Sequence, residues 1–194
     1  MFFAMLLKAP FIPIVERMLT YWHGKQYSIV ISTLPEVLSN LSDVDGREKM
    51  AWADTLAGLC IANAGVTLPH GMGMAIGGMY PHIAHGEALA IVYPSFMRFT
   101  WESAIPQFSK LAWILDPDLK LVSEAEAAER SAEEIDKFLK SIGLWISLQE
   151  KGMAENEIEA LAVQSMVLPD YKGNLRVATR EEMIGLVKDS FYKK

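Results

Sequence analysis

The residues best able to do chemistry are gathered in one stretch. His70, His82 and His85 fall within sixteen positions, in Leu68-Pro69-His70-Gly71-Met72-Gly73 and Pro81-His82-Ile83-Ala84-His85-Gly86-Glu87, while His23 stands apart. Neutral imidazoles are borderline-soft donors, and on turns or helix ends beside glycines they can converge on a divalent cation. The same composition suits an arrangement without a metal, in which one histidine is buried and hydrogen-bonded and the others are solvated. Spacing alone leaves both open. Gly71, Gly73 and Gly77 lack the spacing of a dinucleotide-binding turn and follow no strand, which argues against a phosphate cradle. Gly73 and Gly77 lie one turn apart on a helical face, so close helix packing is expected there, with Met72, Met74 and Met79 filling the gaps.

The elements that position these residues read as helices. Two prolines, Pro10 and Pro13, delay any regular helix to about Pro13, and Glu16 to Trp22 can be helical from there. Ile29 to Thr33 is β-branched and could form a strand that Pro35 ends. Arg47 to Val66 predicts one long helix, apolar on nearly every side through Trp52, Leu56, Leu59, Cys60, Ile61, Ala62 and Ala64, which places it in the middle of a bundle; Gly65 ends it. Apolar elements follow at Gly71 to Met79 and at Glu87 to Phe99, the latter bent by Pro94. Ser123 with Glu126 has the form of a capping box, and Ile135, Phe138, Leu139 and Ile142 recur at helical spacing up to Gly143. Ile158, Leu161, Ala162 and Ser165 share a helical face, and Thr179 with Glu182 opens a last helix carrying Met183, Leu186 and Val187. The expected fold class is all-α, a helical bundle.

The 194 residues are 51% hydrophobic and 22% charged, enough for one cooperative core, so a single domain over 1–194 is expected. A net charge of −6 without a basic stripe argues against a nucleic-acid partner. The single Cys60 sits in an apolar run and forms no intrachain disulfide, consistent with a reducing cytoplasm. Met1 to Leu7 is strongly apolar but is too short to cross a membrane and has no basic residue before it, so neither a span nor a signal peptide is expected.

The run Ala57-Gly58-Leu59-Cys60-Ile61-Ala62-Asn63-Ala64-Gly65-Val66-Thr67-Leu68-Pro69-His70-Gly71-Met72-Gly73, with Ala84-His85-Gly86-Glu87-Ala88-Leu89-Ala90 and Tyr93-Pro94, resembles the signature of iron-containing alcohol dehydrogenases. The resemblance continues through Met97-Arg98-Phe99, Leu115-Asp116-Pro117, Ile142-Gly143-Leu144 and Gly173-Asn174, covering most of residues 40 to 194. It divides the chain into a divergent part, 1–46, and a family-like helical core, 47–194. It implies the C-terminal helical domain of an NAD(P)-linked alcohol oxidoreductase, in which an Asp and three His hold one divalent metal, iron or sometimes zinc. By motif, His70 and His85 match the two later metal ligands.

Other positions depart from the family pattern. Aligning its Asp-x-x-x-His-x-x-Glu arrangement on Glu16 puts Ala9 and Pro13 where the Asp and first His belong, and neither can bind metal. Met74 replaces a frequent histidine, Ser28 to Leu34 is shorter than the usual helix, and about one extra residue between His70 and His85 makes His82 a competing ligand. No NAD(P)-binding domain is present in these residues, so the cofactor is expected only if a separate domain supplies it. Weak or absent divalent metal and no activity alone are the expectation for a truncated or engineered form; the alternative is a non-enzymatic scaffold or interaction protein. Trp113, Val163 and Gly185 stand out of pattern on their helices, and with Met1 to Leu7, Phe11, Ile12 and Ile14 they predict exposed apolar surface and a homo-oligomer.

Overall fold

The computed structural model describes the backbone of residues 13–193 and the side chains of 21–193. Met1 to Leu7, Ala9, Phe11 and Ile12, together with the side chains of Pro13, Ile14 and Glu16, lie outside the described residues. Eight α-helices run in the order α1 (Pro13–Ser39), α2 (Val44–Ala64), α3 (Leu68–Met79), α4 (His85–Thr100), α5 (Ile105–Leu115), α6 (Glu124–Ser141), α7 (Ile158–Ser165) and α8 (Arg180–Phe191), and there is no strand among the described residues. The all-α expectation holds. No single helix among the described residues is long and apolar enough to cross a membrane.

The later helices form where their local signals place them. Ser123 Oγ accepts from Glu126 N at 3.2 Å to cap α6, and Thr179 Oγ1 accepts from Glu182 N at 3.2 Å while Glu182 returns a bond to Thr179 N at 2.9 Å. Each bond satisfies a backbone N–H that the first helical turn leaves unpaired. Gly143 takes φ +71°, the left-handed conformation that costs glycine little, and lets Leu144 N reach back to Leu139 O at 2.8 Å. Ile158, Leu161, Ala162 and Ser165 are all buried, as are Met183, Leu186 and Val187.

The helix at the centre is α4, not α2. Every residue from Ala88 to Met97 is buried, and α4 packs on α3, α6 and α8. Leu89, Ile91, Phe96 and Met97 are each at most 1% exposed, and burial of each such side chain is worth roughly 1.5–3 kcal/mol. By contrast α2 packs chiefly on α1, and Trp52 and Leu59 face outward. Its apolar residues were more numerous than its neighbours could cover.

Two more expectations are corrected. Ile29 to Thr33 is no strand; it lies inside α1, which continues through Pro35 to Ser39. Tyr27, Val30, Thr33 and Val37 recur at helical spacing on the buried side, so tertiary burial outweighs β-propensity and the one backbone bond that Pro35 cannot donate. Trp113 is half-buried rather than exposed: it packs with Leu119 and Ala127, and its indole N–H donates to Leu119 O at 3.1 Å. Leu111 and Ala112 beside it are buried, so its place in the pattern is that of a core-edge residue.

Candidate metal centre

Two helix starts bring the histidines together. Pro69, which has no backbone N–H to lose, opens α3 and leaves His70 in its first turn; His85 is the first residue of α4. Glu87 fixes that second start, accepting from Ala84 N at 3.1 Å and from Lys151 Nζ at 2.6 Å. Between the helices Gly73 marks the closest approach. A Cβ there would stand 2.9 Å from Leu89 Cδ2 and 3.3 Å from His85 Cε1, so the side chains of α4 sit directly on the α3 backbone. Gly77 shows no such need, because a Cβ would meet nothing within 4 Å, and Met74 faces solvent. The expected close packing is confined to Gly73, with Met72 buried beneath it.

The ring centroids of His70 and His85 lie 5.4 Å apart at 75°. His82 goes elsewhere: it is exposed, with Nε2 2.9 Å from Lys151 O and its ring beside Tyr80. The pair is therefore His70 and His85. Burial, reinforced by the neighbouring His70, pushes the His85 pKa down and favours its neutral, lone-pair-bearing form. His70 Nδ1 lies 2.9 Å from Asp170 Oδ2. Asp170 comes from the 3-10 turn Pro169–Gly173, 100 residues further along the chain, and no local spacing in the sequence announces it.

This turn is anchored on the helix that carries His85. The buried Asn174 donates from Nδ2 to Thr100 Oγ1 at 3.0 Å, and Arg176 donates to Phe99 O at 3.0 Å and to Glu182 at 2.8 Å. The far end of α4 thus holds in place the segment that reaches its partner histidine on α3. His23, on α1, is a different case: it is buried, its Nδ1 has no hydrogen-bond partner among the described residues, and burial lowers its pKa to about 4.

The donor set suits part of a metal shell. Two neutral imidazoles can fill two corners around a divalent cation, but no group of three or more His, Cys, Asp or Glu comes together among the described residues.

Comparison with known proteins agrees with this architecture. A model of the Fe-containing alcohol dehydrogenase family, C-terminal part, matches residues 15–191. The chain is 29% identical over 157 residues to the NAD-dependent methanol dehydrogenase of Bacillus methanolicus, covering 81% of this chain and 41% of that protein. It is 32% identical over 133 residues to long-chain-alcohol dehydrogenase 1 of Geobacillus thermodenitrificans, covering 69% of this chain and 33% of that one. An alcohol dehydrogenase from Oenococcus oeni superposes with a TM-score of 0.88 at 22% identity, over 98% of this chain and 48% of its own. The chain spans less than half the length of these relatives.

Proposed function

Because the chain belongs to the Fe-containing alcohol dehydrogenase family through its C-terminal part, we propose that it is the metal-binding helical half of an NAD(P)-linked alcohol or aldehyde oxidoreductase. The observation that carries the reading is the His70–His85 pair, two rings 5.4 Å apart at the N-termini of adjacent helices. In this reading the two imidazoles hold one divalent cation, iron or zinc, and hold it weakly, since Ala9 and Pro13 supply no further donors. Bound between His70 and His85, such a cation would supply Lewis acidity toward an alcohol oxygen. The chain's own residues do the placing: Gly73 lets the two helices approach, burial favours the neutral form of His85, and Asp170 holds His70.

Hydride transfer also needs a nicotinamide aligned against the alcohol, and the glycines of this chain form no phosphate-binding turn. Residues 1–194 alone are therefore proposed to be inactive, with NAD(P) entering only through a separate nucleotide-binding domain. Titration with Co2+, followed by visible absorption, tests the site. The expected result is weak uptake at or below one ion per chain, abolished by His70→Ala and by His85→Ala; tight binding indifferent to His70→Ala overturns it. An assay for NAD(P)-dependent alcohol oxidation by the same protein is expected to show no turnover, and steady turnover contradicts the proposed inactivity.

A second reading, an interaction protein built on this fold, draws on one observation. Val44, Trp52 and Leu59 fall on a single stripe of α2 and are exposed. Covering such a stripe gains roughly 25 cal/mol per Å² of apolar surface. Self-association through it is the form this reading takes, in place of a contact at Trp113. Sedimentation equilibrium of the protein and of a Trp52→Glu, Leu59→Glu variant is expected to show an oligomer that the variant shifts toward monomer. A parent that stays monomeric at high concentration removes it.

A further inference from the structure

We propose that Asp170 is a positioning residue: it fixes His70 in the tautomer that carries its proton on Nδ1, so that Nε2 is the nitrogen left to hold a divalent cation. The cation half of this rests on the functional reading above; the tautomer half rests on the hydrogen bond alone. An ionised carboxylate is acceptor-only, so the 2.9 Å contact between Asp170 Oδ2 and His70 Nδ1 requires the hydrogen to sit on the imidazole nitrogen. The neutral ring then has one lone pair, at Nε2.

The contact is built from both sides. At Gly71, the residue after His70, a Cβ would lie 3.5 Å from Asp170 Cβ and 3.5 Å from Ser165 O, so the Pro169–Gly173 turn and the end of α7 rest directly on the first turn of α3. The two side chains are 23% and 20% exposed, so water screens the bond only in part. Asp170 does not itself join the histidines as a ligand, because no three such groups converge among the described residues. A carboxylate on the outer nitrogen of a metal-binding imidazole orients the ring and raises the basicity of the other nitrogen, and removing such a partner typically costs about 10–100-fold in metal affinity.

Two measurements on the full chain test this. Long-range 1H–15N correlation of the metal-free protein, with His70 assigned by His70→Ala, is expected to show the proton on Nδ1. Asp170→Asn, whose side-chain carbonyl still accepts, keeps that tautomer; Asp170→Ala releases it toward the Nε2–H form. A His70 protonated on Nε2 in the parent overturns the proposal. Co2+ titration supplies the second readout, with thermal melts to show that the variants fold. Asp170→Ala is expected to weaken Co2+ binding by about 10–100-fold, and Asp170→Asn by an intermediate amount. Co2+ affinity unchanged in a folded Asp170→Ala overturns the positioning role. A parent that shows the Nδ1 tautomer and takes up no Co2+ overturns the functional reading and the cation half together while the tautomer stands, so the two failures are distinguishable.

Discussion

The α1–α2 hairpin and the body formed by α3 to α8 differ in where the largest side chains are fully covered. Among the described residues the largest fully buried side chains all lie in the body, Phe96, Phe108 and Phe191 among them, each at most 2% exposed. In the hairpin, His23, Gln26 and Thr33 are buried while Tyr21, Leu38, Leu41, Val44, Trp52 and Leu59 are exposed. The hairpin buries smaller apolar side chains, Val30, Ala53, Leu56 and Ala57 among them, and leaves larger ones on its outer side. The two regions do not divide at residue 47, because the family match runs over residues 15–191 and takes in both. Consistency between pattern and burial is what gives a sequence one stable answer, and it is lower on the outer side of α2 than along α4.

The sharpest way to break this comparison is to cut into each region in turn. Phe108→Ala, in the centre of the body, is expected to cost about 3–5 kcal/mol by urea denaturation, from lost transfer energy and the cavity left behind. Trp52→Ala, on the outer stripe of α2, is expected to change stability by less than about 1 kcal/mol in the monomer. Equal costs at the two sites would mean that the hairpin is as fully packed as the body.

The next effect is a pH dependence located in the hairpin. His23 has its pKa lowered from 6.5 to about 4 by burial, so between those values the unfolded chain binds the proton that the folded one refuses. Stability contributed by the neutral ring is whole above pH 6.5 and falls as pH drops toward 4, by roughly 3 kcal/mol in all. Chemical denaturation across this range, with His23→Phe for comparison, measures it. The variant is expected to flatten the profile, and an unchanged slope would show that the carboxylates of the body set the acid limit instead.

A smaller pair of changes compares positions within α3. Gly73→Ala is expected to cost about 1–3 kcal/mol, because its Cβ must displace the buried Leu89 and press on His85. Gly77→Ala, four residues on, is expected to gain roughly 0.5–1 kcal/mol, since open space meets it and the helix loses less backbone entropy. Thermal melts of both variants would decide whether close packing is as local as the structure has it.

The smallest effect concerns the last turn of the body. Pro94 cannot donate to Ala90 O, and Lys193 Nζ takes that carbonyl at 3.1 Å while lying 4.4 Å from the Trp145 ring centroid. Burial lowers the Lys193 pKa to about 8, so fluorescence with a Trp145 component should titrate near pH 8. Lys193→Met is expected to remove that transition with under about 1 kcal/mol change in stability, the amount one hydrogen bond contributes. A transition that survives the substitution assigns it to another group.

What the sequence determined by itself was everything carried by short-range signals. Ser123 and Thr179 cap their helices, Gly65 and Gly143 end theirs at φ +71°, and the stripes of α7 and α8 are buried, because these features depend on neighbours within a turn or two. His70 and His85 could be singled out by motif, but not their separation from His82, which depends on a loop residue at Lys151. Only the tertiary structure decided that α4 and not α2 is central, since two apolar helices look alike until their neighbours are counted. It also made Ile29 to Thr33 helical, by offering α1 a buried side that outweighs β-propensity, and it turned Trp113 inward onto Leu119. Asp170 is the clearest case. Its meeting with His70 spans 100 residues and is set by how α7 and its following turn settle on α3, an arrangement no local pattern of residue types can encode.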